Sequence, residues 1–280
     1  MKVIELKSEI IATINYHREQ GETIGFVPTM GALHDGHISL MKRANCENDI
    51  SVVSIFVNPT QFNDKRDLEK YPRTLEADLS LLHSINIDYV FVPSDKEIYP
   101  VPDTRVFDFG MLDKVMEGKH RPGHFNGVAQ VVSKLFDIVN PHKAYFGQKD
   151  FQQLAIIRKL VKILSLNIEI IPCPIIREND GLAMSSRNVL LTPECRSSAP
   201  LIYQTLTEAR NKMNSCSVNN LIEWVKGAVN SNPNLDVEYF ELVDAETLEA
   251  VNDWESQKSI VGCIAVHAGT VRLIDNLIFK

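Results

Sequence analysis

The stretch that decides the fold is PTMGALHDGH, residues 28–37. It follows TIGFV (23–27), a run typical of a buried strand, and it precedes the amphipathic run ISLMKRA (38–44). Apolar residues recur there at helical spacing, so the sequence predicts a strand that turns directly into a helix. His37 stands at the N-terminal end of that helix, and His34 precedes it by three residues.

Three interpretations of this histidine pair are open from the residues alone. A helix N-terminus has unpaired backbone N–H groups and a partial positive charge, so two imidazoles there suit a phosphate. Two structural histidines, each with a hydrogen-bond partner, fit the pattern equally well. A metal site is disfavoured because the pair lacks a third ligand at a suitable spacing. Gly31 and Gly36 permit the tight turn between strand and helix.

The same strand-to-helix alternation continues over the first two thirds of the chain. The predicted strands are residues 23–28, 50–58, 88–93, 143–147 and 168–176. The predicted helices lie near residues 3–20, 36–47, 74–84, 126–139 and 150–165. Most of the strands are apolar on both faces, as in a parallel sheet covered by helices. We therefore predict an α/β fold with a doubly wound, Rossmann-like parallel sheet, whose ligands bind beyond the carboxyl ends of the strands.

The pattern changes after about residue 177. Two helices and two strand-bearing runs are predicted there, at residues 192–213, 218–230, 236–244 and 258–276. We interpret residues 1–177 as a Rossmann-like domain and residues 178–280 as a smaller α+β domain with an antiparallel sheet.

Composition limits the compartment and the partners. The chain has 280 residues, 44% of them hydrophobic and 23% charged, which is typical of a globular protein. A net charge of −7 does not favour binding to nucleic acid or to anionic membranes. No stretch contains the ~20 apolar residues that span a bilayer, and the five scattered cysteines fit a reducing compartment. We expect a cytoplasmic protein without nucleic-acid or membrane partners.

Two further motifs place polar side chains at predicted strand ends. YFGQKDFQQ (145–153) closes the fourth strand and opens a helix. Asp150 is a candidate cap for that helix, Lys149 is a candidate phosphate contact, and Gln153 interrupts the buried apolar stripe. NPTQF places Gln61 at the end of the second strand, where it is either a turn residue or a ligand contact.

Two more segments are candidates for binding or for closing the site. Residues 177–188 contain MSSRN, in which Ser185, Ser186 and Arg187 are suited to a polyphosphate, although a polar linker has the same composition. EGKHRPGHFNGV (117–128) is a basic, glycine-rich segment that either forms a wall or lid or carries exposed, idle histidines.

Together these motifs resemble those of the pantoate–β-alanine ligase family. PTMGALHDGH, SIFVNPTQF, YPRT, RPGHFNGV, FGQKDFQQL and DGLAMSSRN occur in the family's order and spacing over roughly residues 25–190, and the C-terminal RLIDN fits as well. Through HxGH and MSSR the family is similar to the wider nucleotidyltransferases, so the resemblance implies their type of Rossmann-like fold.

The resemblance implies an ATP-dependent ligation in two steps. The carboxylate of (R)-pantoate attacks the α-phosphorus of ATP and gives pantoyl adenylate and pyrophosphate. The amine of β-alanine then attacks the mixed anhydride and gives pantothenate and AMP. The resemblance also implies Mg²⁺ held mainly by the ATP phosphates, with Asp78 as a weak candidate ligand and no dedicated metal site, and a homodimer formed through the N-terminal domain. Residues 1–177 would then bind ATP and pantoate, and residues 178–280 would form a lid.

The resemblance assigns roles to individual positions. The implied catalytic residues are His34, His37, Lys149 and Arg187. The implied pantoate contacts are Gln61 and Gln153, the first of which also meets β-alanine. The implied ATP-binding residues are Met30, Gly31, Ala32, Leu33, His34, Asp35, Gly36, His37, Gly147, Gln148, Lys149, Asp150, Ile176, Met184, Ser185, Ser186 and Arg187. Family proteins often have Glu where Gln148 stands, and we expect little consequence because Lys149 and Asp150 are kept.

Two other functions are compatible with parts of this pattern. A nucleotidyltransferase that leaves the nucleotide on its product would share HxGH but would not need both glutamine motifs. A catalytically inactive nucleotide-binding protein is disfavoured by the intact histidine, lysine, serine and arginine positions. Whether His37 carries a proton or only binds phosphate is left open by the sequence.

Overall fold

A six-stranded parallel sheet forms the centre of the protein, of which the structure, a computed structural model, describes residues 1–62, 68–69, 71–255 and 258–280. In sheet order the strands are β1 (Lys2–Ile4), β4 (Tyr89–Phe91), β3 (Ile50–Ile55), β2 (Ile24–Thr29), β5 (Lys143–Gly147) and β6 (Glu169–Cys173). From β2 the chain winds outward through β3 to β4, and it later returns to the other side of β2 with β5 and β6. The strand order therefore reverses between β2 and β5, which is where doubly wound sheets bind ligands.

Helices cover both faces of this sheet. Their bounds are α1 (Lys7–Glu19), α2 (Asp35–Glu47), α3 (Leu75–Ser84), α4 (Asp95–Ile98), α5 (Met116–His120), α6 (His124–Val139) and α7 (Phe151–Ile163). Successive residues of β2 enter opposite layers: Phe26 packs with α1, α6 and α7, whereas Val27 packs with α2 and α3. Both side chains are buried, so the strand is apolar on both faces, as predicted.

A second, antiparallel sheet is built from the C-terminal residues. The remaining elements are α8 (Pro193–Ser198), α9 (Leu201–Lys212), α10 (Val218–Asn230), β7 (Leu235–Asp244), β8 (Ile260–Ala268) and β9 (Val271–Ile278). β8 lies between β7 and β9. Apolar side chains from Leu182 to Phe279 form a separate core between this sheet and its helices.

The predicted strands and most of the predicted helices are confirmed, with two differences. Residues 3 and 4 lie in the predicted helix 3–20, but with Lys2 they form β1, because pairing with β4 buries Ile4 at the sheet edge. The predicted helix 192–213 is two helices, since Pro200 cannot continue α8 and stands at the start of α9.

Two findings bear on the compartment and partner predictions. All five cysteines are free thiols. Within the described ranges, none of the helices combines the length and the apolarity needed to cross a membrane.

Candidate active site

The loop between β2 and α2 is held by one buried carboxylate. Asp78 on α3 is 3% exposed and accepts hydrogen bonds from the backbone N–H groups of Ala32 (2.9 Å) and Leu33 (2.8 Å). Gly31 turns the chain at φ 80°, a conformation that side chains oppose. Asp78 therefore holds the backbone of Gly31–Leu33 on one side of the loop, and the start of α2 lies on the opposite, open side.

The rings of His34 and His37 are each oriented by a backbone N–H group at the start of α2. Nδ1 of His34 accepts the backbone N–H of Gly36 at 3.1 Å, and Nδ1 of His37 accepts the backbone N–H of His34 at 3.4 Å. The ring centroids lie 4.1 Å apart. Because a backbone N–H can only donate, both Nδ1 atoms are unprotonated, and Nε2 carries the proton of each neutral ring.

Burial keeps both imidazoles neutral at physiological pH. Burial, assisted by the cation of Lys149, lowers the pKa of His34 to about 4. Burial, assisted by His34 and Lys149, lowers the pKa of His37 to about 3. The pair therefore offers two directional N–H donors without a charge of its own, which suits phosphate oxygens.

The turn after β5 carries a lysine at the neighbouring strand end. Gln148–Asp150 form one 3-10 turn, and α7 begins directly after it. Asp150 stands at the predicted N-cap position, but its side chain makes no capping hydrogen bond. Its exposed carboxylate lies 4.0 Å from Nζ of the half-buried Lys149. The backbone of this turn is thus not held by its own cap residue.

The side chain of Gln61 is oriented before any ligand binds. Gln61 ends a short 3-10 turn after β3; its Oε1 accepts from Nδ2 of Asn58 at 3.2 Å, and its Nε2 lies 2.9 Å from Sδ of Met30. Asn58 is 1% exposed and also donates to the carbonyl of Gly127. Sequence reasoning missed Asn58 as an orienting residue, although it stands inside the NPTQF motif.

The buried amide of α7 is one residue away from its predicted position. Gln152, not Gln153, is the buried amide, at 4% exposure. Its Nε2 donates to the carbonyls of Leu112 (2.7 Å) and Val115 (2.8 Å), and its Oε1 accepts from the N–H of Glu117. The helical pattern of α7 could not show that the segment before α5, which includes Leu112 and Val115, covers Gln152. Gln153 is half-buried and faces a cavity, so its amide is accessible to a ligand.

The segment of residues 176–187 returns over the start of α2. Oγ of Ser186 donates to the carbonyl of Ala32 at 3.0 Å, which joins this segment to the β2–α2 loop. The guanidinium of Arg187 lies over the ring of Tyr71, 5.8 Å from its centroid. The serines and the arginine predicted to meet phosphate therefore lie beside the histidine pair.

A cavity of about 220 Å³ opens where these segments meet, at the switch point between β2 and β5. It is lined by most of the residues to which the resemblance assigned ligand contacts: Met30, His34, Gly36, His37, Gln61, Gly147, Lys149, Asp150, Gln153, Ile176, Met184, Ser185, Ser186 and Arg187. Five assigned residues do not line it: Gly31, Ala32, Leu33, Asp35 and Gln148. Its apolar wall, missed by the sequence, is formed by Phe146 and by the α6 residues Val128, Val131, Val132 and Leu135. The buried stripe of α6 was the available signal for this wall.

A second cavity, of about 650 Å³, continues the site under the antiparallel sheet. The two cavities share Lys149, Asp150, Gln153, Ser185 and Arg187. An ion cluster lines the second cavity, in which Arg272 donates to both carboxylate oxygens of Glu117 (2.8 and 2.6 Å) and to Glu238. Burial acts to raise the pKa of Glu117, but Arg272 outweighs it and holds that pKa below its usual range.

The segment predicted as a wall or lid forms α5 and the start of α6. His124 in this segment is 7% exposed, and its Nδ1 lies 2.9 Å from the carbonyl oxygen of Gln61, to which it donates. Burial and the cation of Arg121 lower the pKa of His124 to about 4. His124 is therefore a neutral structural support for the turn that carries Gln61, and the segment is part of the wall of the second cavity.

The charges at the site favour an anion. Lys149 and Arg187 line both cavities beside the two neutral imidazoles, with Asp150 as the neighbouring carboxylate. Across the described ranges, no three His, Cys, Asp or Glu side chains are grouped so that they could hold a metal ion. Asp78, the weak metal candidate, has both oxygens engaged by backbone N–H groups.

This fold and this site define a class of protein. A doubly wound parallel sheet with hydrogen-bond donors and cations at its switch point, joined to a small antiparallel sheet, is a Rossmann-like α/β fold with a ligand site at the usual place. The chain matches the model of the family described as Pantoate-beta-alanine ligase over residues 2–278. It therefore belongs to the pantoate–β-alanine ligase family and is an enzyme of that family.

Relatives of known name agree with this assignment over their full length. The chain is 54% identical over 280 residues to the pantothenate synthetase of Bacteroides fragilis (strain YCH46), covering 100% of this chain and 99% of that protein. It is 55% identical over 280 residues to the pantothenate synthetase of Porphyromonas gingivalis (strain W83), covering 100% of both.

Solved structures of similar proteins share the whole fold. The pantothenate synthetase of Thermus thermophilus matches with a TM-score of 0.92 at 42% identity, over 99% of each chain. The pantoate–β-alanine ligase of Francisella tularensis, complexed with β-γ ATP and β-alanine, matches with a TM-score of 0.85 at 38% identity, over 100% of this chain and 98% of that one.

Proposed function

We propose that this enzyme condenses (R)-pantoate with β-alanine, with conversion of ATP to AMP and pyrophosphate, through a pantoyl-adenylate intermediate. One observation carries the proposal. The histidine pair, Lys149 and the serine–arginine segment line the same cavity as Gln61 and Gln153. A triphosphate and a small hydroxy acid can therefore bind side by side in this cavity, as transfer of the adenylyl group to a carboxylate requires.

In the first step a pantoate oxygen bonds to the α-phosphorus, and the bond from that phosphorus to pyrophosphate breaks. Negative charge grows on the phosphoryl oxygens and on the leaving group, so preorganised donors stabilise the transition state. We assign this role to Nε2–H of His34 and His37 and to the cations of Lys149 and Arg187. Because Nδ1 of His37 accepts a backbone N–H and the pKa is about 3, we propose that His37 stabilises charge and does not carry a proton.

In the second step the amine of β-alanine bonds to the acyl carbon, and the bond from that carbon to AMP breaks, with net release of a proton. The intermediate must be shielded from water, because water would hydrolyse the anhydride. The Francisella tularensis relative is complexed with β-alanine as well as a β-γ ATP compound, which supports one shared site for both steps. Gln61, whose amide is already oriented by Asn58, is the proposed meeting point of pantoate and β-alanine.

Neutral amides orient a carboxylate nucleophile without tying it into an ion pair. An Arg in the place of Gln61 or Gln153 would hold the pantoate carboxylate in a bidentate pair and reduce its nucleophilicity. Gln153→Ala should therefore weaken pantoate binding and turnover but leave ATP affinity unchanged. Pantoate kinetics equal to those of the wild type would contradict this assignment.

A pair of product measurements tests the proposed function. Pyrophosphate should appear only when ATP and pantoate are both present, and AMP should be released in stoichiometric amount only after β-alanine is added. Pyrophosphate release with the nucleotide kept on the final product would instead indicate a nucleotidyltransferase. No pantoate-dependent pyrophosphate, with ATP binding intact, would indicate a nucleotide-binding protein without this activity.

The remaining assignments concern Mg²⁺, the domains and the assembly. We propose that Mg²⁺ is held by the ATP phosphates and water, which is consistent with the engagement of Asp78 by the backbone. We also propose that residues 178–280 act as a lid domain over the site, which their separate core supports. A homodimer is proposed from the family resemblance and a cytoplasmic location from the composition; light scattering of the purified protein tests the dimer.

A further inference from the structure

The turn that carries Lys149 is held from the far end of the chain. Nδ2 of Asn276 on β9 donates to the backbone carbonyls of Gln148 and Lys149, both at 2.9 Å. Asn276 is 5% exposed, so both N–H groups of its amide are committed to these two carbonyls away from water. The side chain of Asp150, the residue at the cap position, makes no capping hydrogen bond.

The preceding residue holds the other phosphate-facing segment. Asp275, 5% exposed, pairs in a bidentate manner with the guanidinium of Arg177, at 2.6 and 2.9 Å. Arg177 begins the loop that leads to Ser185–Arg187, and its backbone pairs with Ala183 in an isolated bridge. Asp275 is further fixed because its Oδ1 accepts the backbone N–H of Asn276.

We propose that Asn276 is a positioning residue for Lys149, and that Asp275 and Asn276 together set the distance between Lys149 and the serine–arginine segment. The assignment rests on the proposed function only in taking ATP as the ligand of Lys149. Two hydrogen bonds to consecutive carbonyls fix both the position and the orientation of the turn relative to β9, whereas one hydrogen bond leaves the turn free to rotate. The lysine ammonium can then meet the outer phosphates without a further loss of backbone freedom.

The test compares variants of equal volume that lose the same kind of bond. Asn276→Leu removes both N–H donors and nearly keeps the side-chain size. Gln130→Met is the matched control, because the amide of Gln130 also donates to two carbonyls, those of Asp103 (3.0 Å) and Arg105 (2.8 Å), and it lines neither cavity. Both variants should lose thermal stability to a similar extent.

The decisive measurement is the ratio of ATP affinity to AMP affinity, determined by calorimetry. AMP lacks the outer phosphates, so misplacement of Lys149 should weaken ATP binding and leave AMP binding nearly unchanged. In Asn276→Leu we expect the ratio to fall about tenfold, the size of one charge-assisted contact, while Gln130→Met keeps the wild-type ratio. In a Lys149→Ala background, Asn276→Leu should cause no further fall, because the lysine it positions is gone.

When the wild type binds ATP, two results would overturn the inference: a wild-type ratio in Asn276→Leu, or a fall that adds fully to that of Lys149→Ala. If Asn276→Leu does not fold, Asn276→Ser is measured instead, because it introduces no charge beside Lys149 and cannot donate to both carbonyls. Since the readout is binding, it is independent of turnover. If the binding ratios are as expected but the wild type releases no pantoate-dependent pyrophosphate, the proposed function alone is refuted. If the wild type does not bind ATP, both the proposed function and this inference are refuted.

Discussion

The turns after β2 and β5 lie side by side at the switch point, but they are held in different ways. The β2–α2 loop is held mainly by its own residues and by α3: His34 and His37 bond to backbone groups within three residues of themselves, and Asp78 on α3 accepts from Ala32 and Leu33, while Ser186 adds one bond to the carbonyl of Ala32. The β5–α7 turn has no side-chain cap of its own and depends on Asn276. One phosphate-facing turn is thus held mainly by elements of the parallel sheet region, and the other depends on docking of the C-terminal sheet.

The largest expected effect comes from breaking the first turn at His37. His37→Asn retains an acceptor near the position of Nδ1 but loses the outer N–H donor, so the rate of pyrophosphate release should fall ~10²–10³-fold. His37→Gln is the matched comparison, because its amide N–H reaches approximately the position of Nε2. We expect Gln to retain more activity than Asn. The opposite order would contradict the role of Nε2–H as the active donor.

The next largest effect comes from removing the support of that loop. Asp78→Asn leaves one of the two buried N–H groups of Ala32 and Leu33 without its acceptor, which should reduce the free energy of unfolding by about 2–3 kcal/mol and lower turnover. Asp88→Asn is the control for loss of the carboxylate charge: Oδ2 of Asp88 alone accepts the backbone N–H and the hydroxyl of Ser51 (both 2.8 Å), so the amide oxygen can keep both bonds, and neither residue lines either cavity. Urea denaturation and turnover of both variants check the expectation; equal turnover in the two would show that the loop does not depend on Asp78.

A smaller effect is expected at the turn after β3, where α6 packs directly on the backbone. A Cβ at Gly127 would clash with the carbonyl oxygen of Thr60, so Gly127→Ala must displace the turn that ends at Gln61. We expect a loss of about 1–2 kcal/mol of stability and weaker pantoate binding with unchanged ATP binding. Gly227→Ala in α10 is the control, since a Cβ there meets no atom within 4 Å. Calorimetry with pantoate distinguishes a displaced Gln61 from a merely less stable fold.

A further expected effect is a dependence of stability on pH. Burial lowers the pKa of His34 and His124 to about 4 and of His37 to about 3, whereas the unfolded chain titrates near 6.5. Between those values the unfolded state binds more protons, so stability is fully present above pH 6.5 and is lost as the pH falls toward 4. The urea midpoint should decrease from pH 7 to pH 5, and less so in His37→Asn. An unchanged midpoint would contradict the neutral, buried state of these rings.

Much of the site could be predicted from the sequence, because its residues lie in short motifs that come directly after the predicted strands. The alternation of apolar strands and amphipathic helices placed His37, Gln61 and Lys149 at carboxyl ends of a parallel sheet, and such ends share one edge. The helical pattern of α7 was less informative. A helical wheel identifies the apolar stripe of a helix, but it does not show which residues at the edge of that stripe are covered by other segments. It therefore selected Gln153 as the buried amide, whereas Gln152 is buried.

The sequence by itself determined five of the six strands of the parallel sheet, the order of the motifs and the family, because these depend on local periodicity and on residues close together in the chain. Only the tertiary structure determined which groups hold the two turns. Asn276 is 127 residues from Lys149, and Ser186 is 154 residues from Ala32, so no local pattern relates them. A hydrogen bond requires heavy atoms about 3 Å apart, and for such distant residues only the packing of the two sheets brings the partners that close.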